Sequence, residues 1–228
     1  MARRLKLDKD FDVVAPGKDH YVCLEFSKRF IEGKNLSNVG SWIGNYERLI
    51  ESFPQKLTSL EVEKEALEVA REAGIKSRLV HGSILSAPFP DEGFEVVTMW
   101  AVLEHLPEGT ENTALSEINR ILKTGGHFFL STPNYHWLNN ILDPAYFLVG
   151  HRHYRKENLV VMLAKNGFRV ERLEVKGGVI SSLSGIMLYV FKYLFRKRMP
   201  EMARLREVCV KECRKRGYAD FYVRAVKV

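Results

Sequence analysis

The chain has 228 residues, 46% hydrophobic and 28% charged, the ordinary mix of a soluble globular protein with a real core. Its net charge of +7 favours anionic encounters, and the excess gathers at residues 196–198 and 211–216. Three cysteines, Cys23, Cys209 and Cys213, are too few and too badly spaced for a disulfide framework or a metal motif, and are read as reduced thiols of a cytoplasmic protein.

The start, MARRLKLDKDFD, is basic with no apolar run behind it, so no secretory signal is expected. The first predicted strand is LSNV (36–39). It runs through a glycine turn, NVGSWIG (38–44), into a helix NYERLIESF (45–53). LTSLEV (57–62) is a second strand, and EKEALEVAREAG (63–74) an amphipathic helix stopped by Gly74. RLVHG (78–82) is a short strand, APFPDEG (87–93) a loop, and FEVVTMW (94–100) the most buried-looking strand. ENTALSEINRILKTGG (111–126) reads as a helix ended by its glycine pair, followed by the strand HFFLSTPN (127–134). After an irregular stretch come a helix over 154–168, a strand over 169–177 and a closing strand FYVRAVKV (221–228). The apolar stretch nearest a membrane span, 179–195, is broken by Ser181, Ser182, Ser184 and Lys192.

This alternation predicts βαβ units, hence an α/β, doubly wound, mostly parallel sheet with ligands at the C-terminal strand ends. The last two strands, joined by 178–218, suit an antiparallel edge. A strand, glycine turn and helix start can bring backbone N–H groups against a polar ligand. Glu61, ending the second strand, can accept hydrogen bonds from a ribose diol.

Together NVGSWIG, SLEVEKEALEVAR, HGSILSAPFPDEGFEVVTMWAVLEHLPE, SEINRILKTGGHFFLSTPN and HYRKENLVVMLAKNGF resemble class I S-adenosylmethionine-dependent methyltransferases. The resemblance is to the type 11 group, related to ubiquinone-biosynthesis O-methyltransferases, and covers about 20–175 and 221–228. It implies a seven-stranded Rossmann-like sheet with an antiparallel last strand, in one domain over 1–228. It also implies roles. Gly40 and Gly44 would admit the cofactor's methionine portion, and Asn38 stands where an acid is usual. Glu61 would hold the ribose, Ser83 and Ile84 would face the adenine, and Trp100 and Ala101 would flank the sulfonium. Trp42 replaces a glycine; at negative φ its indole could turn away and pack under the loop, so that Trp42→Gly would cost stability.

If the acceptor is a hydroxyl, a base is needed, and His105, His151 and His153 are the candidates. His105 and His153 are placed in catalysis, while Asn134 and His151 are placed in the acceptor pocket. Residues 135–154 are aromatic and irregular, which suits a lid over an apolar acceptor. In the basic segment 178–217, apolar residues from Ile186 to Phe195 recur at helical spacing. That face either packs on the sheet or lies on an anionic membrane, making the protein cytoplasmic or peripheral. The leading expectation is O- or C-methyl transfer to a small-molecule or lipid-like acceptor, without a metal. An RNA methyltransferase ranks below it, as does a non-catalytic member with weak cofactor binding.

Overall fold

The computed structural model describes residues 17–197, 200 and 202–228; the basic N-terminal stretch and Arg198 of the basic cluster lie outside them. One seven-stranded sheet forms the centre, with strand order β3-β2-β1-β4-β5-β7-β6. The strands are β1 (Asn35–Val39), β2 (Lys56–Glu61), β3 (Arg78–His81), β4 (Phe94–Trp100), β5 (Leu122–Pro133), β6 (Phe168–Lys176) and β7 (Asp220–Lys227). β7 runs antiparallel to both β5 and β6; the remaining pairings are parallel. The strand order reverses between β1 and β4, so the crevice beyond their C-terminal ends is where this topology collects ligands. Instead of closing the edge, β7 inserts between β5 and β6, leaving β6 outermost.

Alternate side chains of the central strands feed two cores. Val39, Val97, Met99, Phe128 and Leu130 face α4 (Glu111–Ile121) and α7 (Lys156–Lys165). Leu36, Val96 and Phe129 face α1 (Lys18–Ile31), α2 (Glu47–Ile50) and Cys213 of α9 (Ala203–Cys213). α3 (Lys64–Glu72) buries Ala66, Leu67 and Ala70 beside β2. Two short helices, α5 (Trp137–Leu142) and α6 (Pro144–Leu148), cross the expected lid.

The structure corrects four expectations about elements. α1 was not predicted, although Val22, Cys23, Phe26 and Ser27 bury one of its faces. The helix expected over 45–53 shrinks to α2. The helix expected to reach Gly126 ends at Ile121, and β5 begins at Leu122. The last correction concerns α8 (Val179–Tyr189) and the π-helical turn that continues it (Val190–Phe195). α8 buries only Ser181 and the turn buries nothing, so this face does not pack on the sheet.

Candidate active site

At the switch crevice, the turn after β1 is fastened to the end of β2. The N–H groups of Gly40 and Ser41 donate to the Leu60 carbonyl, at 2.8 and 3.3 Å. The Trp42 N–H donates to Glu61 Oε2 at 2.7 Å. All three are therefore spent inside the protein, contrary to the expectation that they meet a ligand. Gly40 and Gly44 have φ of +73° and +86°. A Cβ on Gly40 would strike the Val102 side chain, and one on Gly44 would sit 2.7 Å from Ile75 Cγ1. Close packing within the protein thus accounts for both glycines.

Trp42 has φ +49°, in the left-handed region, so the negative φ on which turning the indole away depended is not met. Its half-buried indole belongs to neither core cluster among the described residues. Ala101, ending β4, has φ +51°, held by its N–H donating to the backbone oxygen and Oγ of Ser131 at 3.1 and 3.0 Å. Two strained non-glycine residues thus flank the switch point, the kind of place where strain accompanies function.

Glu61 is 5% exposed, and its carboxylate accepts from three backbone N–H groups, those of Trp42, Val62 and Glu63. A carboxylate offers about four acceptor sites. Roughly one therefore remains for a ribose hydroxyl, and holding both hydroxyls requires Trp42 N–H to let go. Val62, singled out by no sequence pattern, presents a 46% exposed apolar side chain beside Glu61. Across from it, Ser83 Oγ accepts from Leu85 N at 3.2 Å and keeps its proton to donate. The Ile84 side chain is sunk in the core, which leaves only its backbone to face a ligand. Trp100 is half-buried and lies edge-on to Tyr46 at 5.7 Å.

Asn38 departs from its expected role because both ends of its amide are engaged. It donates to Glu47 Oε1 at 2.8 Å and accepts from Thr98 Oγ1 at 2.7 Å. Ser59 Oγ also donates to Glu47 Oε1, at 2.8 Å. Asn38 pairs in register with Ser59 and Thr98, which gives a polar row across three strands capped by Glu47 from α2. Burial pushes the Glu47 carboxyl up to about 7, against the pull of those hydrogen bonds. Glu47 Oε2 and, in the adjacent loop, Ser41 Oγ and Asn45 Oδ1 are buried without partners. Such atoms suit a site meant for a polar ligand. With Glu61, these unsatisfied groups fit S-adenosylmethionine.

The acceptor side lies beyond β4 and β5. The lid's end is tied down by Arg152, which donates to the Leu106 and Leu103 carbonyls at 2.6 and 2.8 Å. This places the His151 ring edge-on to His105, at 4.4 Å between centroids. His151 Nδ1 lies 3.3 Å from Asp143 Oδ2, and its Nε2 is buried without a partner. The surroundings tune these groups around neutrality. Burial pushes the Glu104 carboxyl up to about 7, and that of Asp220, at the start of β7, likewise to about 7. Burial lowers His151, but the Asp143 hydrogen bond and the Glu104 and Asp143 charges outweigh it and leave its pKa raised. Burial, with the neighbouring His151 and Arg152 charges, drops His105 to about 3.

Two candidates are already committed to holding the structure. His153 has a fully buried side chain with Nδ1 2.7 Å from Asn140 Oδ1 and Nε2 3.0 Å from Asp143 Oδ2. No nitrogen is left for a substrate, so it acts as a tie in the lid. Asn134 Nδ2 donates to the Tyr218 carbonyl at 2.8 Å, fixing the lid's start to the approach to β7. Asp143, which the sequence did not single out, joins His151 and His153. Among the described residues no group of three or more His, Cys, Asp or Glu could hold a metal ion. A cavity of about 430 Å³ opens at the opposite ends of the strands beside Lys56 and Arg78 and adjoins none of these residues.

Residues 37–130 match a family described as a methyltransferase domain, Methyltransf_11. Over that stretch the chain is similar to the class I S-adenosylmethionine-dependent methyltransferases, and that likeness implies S-adenosylmethionine as the cofactor. Among curated relatives, the uncharacterized methyltransferase YcgJ of Bacillus subtilis is 26% identical over 134 residues, 57% of this chain and 52% of that one. The ubiquinone biosynthesis O-methyltransferase of Proteus mirabilis is 30% identical over 125 residues, 51% of this chain and 50% of that one. The chain thus spans about half the length of the curated relatives it matches. The S-adenosylmethionine dependent methyltransferase from Mesorhizobium loti superposes with a TM-score of 0.62 at 14% identity, covering 92% of this chain and 98% of that one. A chain titled the [4+2]-cyclase SpnF superposes equally well, at 0.62 and 18% identity over 91% of this chain and 79% of that one. Fold alone therefore leaves the reaction open.

Proposed function

We propose that the chain transfers the methyl group of S-adenosylmethionine to an oxygen of an apolar small-molecule or lipid-like acceptor, with His151 as general base. The carrying observation is the Asp143–His151 pair. Asp143 accepts from Nδ1, fixing the tautomer that leaves Nε2 as the acceptor, and Nε2 has no other partner. The name of the Proteus mirabilis relative, an O-methyltransferase, supports the same acceptor atom.

The bound cofactor supplies an electrophilic methyl group on a sulfonium leaving group. Glu61 would hold its ribose, Ser83 would donate toward its adenine and exposed Val62 would offer an apolar contact beside them. His151 Nε2 takes the acceptor's hydroxyl proton as its oxygen attacks, and Asp143 stabilises the imidazolium formed. His105, neutral at all working pH, positions the His151 ring by its edge contact. Exposed Tyr135, Trp137 and Phe147 make the outer surface of the lid apolar.

The test is single-turnover methyl transfer from labelled S-adenosylmethionine to a panel of phenols and polyprenylated phenols, with His151→Asn beside the parent. The proposal expects product with the parent and a loss of roughly 10²–10⁴ in rate in the variant. An equal rate in the variant would remove His151 as the base. Transfer to nitrogen or carbon acceptors alone would overturn the oxygen assignment.

A further inference from the structure

The lid and the segment after β6 expose apolar side chains on two adjoining elements. In the lid, Trp137 (68%) and Ile141 (62%) stand four apart on α5, and Phe147 (67%) crowns α6. α5 and α6 both pack beside α8. From there the π-helical turn presents Tyr193, Leu194 (72%) and Phe195 outward. Between α6 and α8 lies an apolar groove of about 290 Å³, walled by Pro144, Leu148, Ile186, Tyr189 and Leu194. So large an exposed apolar face marks an interaction surface.

This segment is anchored at its start. Glu212 of α9 accepts from the N–H groups of Gly178, Ile180 and Ser181 and from Ser181 Oγ, at 2.6 to 3.2 Å. A Cβ on Gly178 would lie 2.6 Å from that carboxylate, so this anchoring needs glycine. No helix of the described residues is long and apolar enough to cross a membrane.

We propose that this face docks on an anionic lipid bilayer, with the α5, α6 and π-turn side chains in the interface. Charge selects that occupant. Exposed Arg196 and Lys197 directly follow Tyr193–Phe195, with Lys192 one turn before, and acidic residues are absent from 190–197. Apolar side chains rimmed by cations, with Trp and Tyr among them, match the headgroup boundary of an anionic leaflet. A second copy placed on the same face across a two-fold axis would set these cations against their own images. The face itself stands on its exposure and charge, while its link to an apolar acceptor rests on the proposed function and deepens it. Asp143, which caps α6 through Ala145 N and also holds His151, links the docked lid to the base. A lipid-borne acceptor would enter by the groove beside Leu148.

The experiment is flotation of the full chain with vesicles of phosphatidylcholine alone or mixed equally with phosphatidylglycerol, at low and high salt. The expected result is flotation with the anionic vesicles at low salt, weakened by salt. Trp137→Ser combined with Leu194→Ser should cut the bound fraction about tenfold. Arg196→Glu with Lys197→Glu should abolish the preference for phosphatidylglycerol. Thermal melts confirm that these surface variants are folded. No flotation at low salt, or flotation indifferent to both pairs of changes, overturns the proposal. So does a dimer in sedimentation that the Trp137 and Leu194 changes disperse, since a second copy would then occupy the face. S-adenosylhomocysteine calorimetry on the same samples separates the two readings: a parent that floats but binds no cofactor refutes the methyltransferase assignment and leaves docking standing.

Discussion

Glu47→Gln tests the buried polar row beneath the cofactor crevice. Glu47 is fully buried, and its carboxyl moves from an ordinary 4.5 up to about 7, with burial the leading cause. A carboxyl whose folded pKa is raised holds its proton longer in the native state than in the unfolded one. Its contribution is therefore fully present below about 4.5, and is lost as pH climbs to about 7. Over that window the loss amounts to about 3 kcal/mol. Glutamine keeps the shape and the Oε1 acceptor for Asn38 and Ser59 but cannot ionise. Urea unfolding of parent and variant should thus agree within about 1 kcal/mol at pH 4.5. By pH 8 the variant should be the more stable by about 2–3 kcal/mol. Two stabilities that stay parallel from pH 4.5 to 8 would refute the reasoning, and would mean that Glu47 titrates as an ordinary carboxyl.

Other outcomes follow from the same geometry. Trp42→Gly relieves a left-handed residue worth about 1–2 kcal/mol and removes an indole outside both cores, so stability should hold or rise, reversing what the sequence suggested. A loss above about 2 kcal/mol on denaturation would show that the indole packs firmly. A cofactor affinity raised tenfold, roughly 1.4 kcal/mol, would show that it fills the site. Because the His151 pKa is raised and the base works unprotonated, the methyl-transfer rate should climb with pH along a limb displaced upward from that of an ordinary histidine. Asp143→Asn should move that limb to lower pH as well as slow the reaction, whereas a purely structural aspartate would leave the profile in place.

Much of the fold was legible because its signals were local. Alternating apolar runs and helical stripes gave every strand of the sheet, and Glu61 stood where a strand end meets a helix start. The errors were also physical. In ILKTGG the glycines looked like a helix stop, but Gly126 is required because a Cβ there would lie 2.8 Å from the Lys123 carbonyl and 2.9 Å from that of Glu95, within the sheet. α1 carries a readable stripe at Val22 and Phe26 with the neighbouring Cys23 and Ser27. The site was less legible, since its partners are distant in sequence. In sequence Asn38 reads as a cofactor ligand because Glu47 and Thr98, which occupy its amide, converge on it only in the folded sheet. The roles of His151 and His153 likewise depend on Asp143, eight and ten residues earlier, whose carboxylate meets both rings only through the turn of the lid.

The central claim is that the crevice between β1 and β4 still binds the cofactor despite Trp42. Titration calorimetry with S-adenosylhomocysteine tests it most directly. The account predicts one molecule bound per chain, with Glu61→Ala weakening affinity by about 1.5–3 kcal/mol, roughly 10- to 150-fold, as expected for hydrogen bonds to a charged group. Absence of binding by the parent, with binding appearing in Trp42→Gly, would contradict it and mark the indole as the occupant of the pocket.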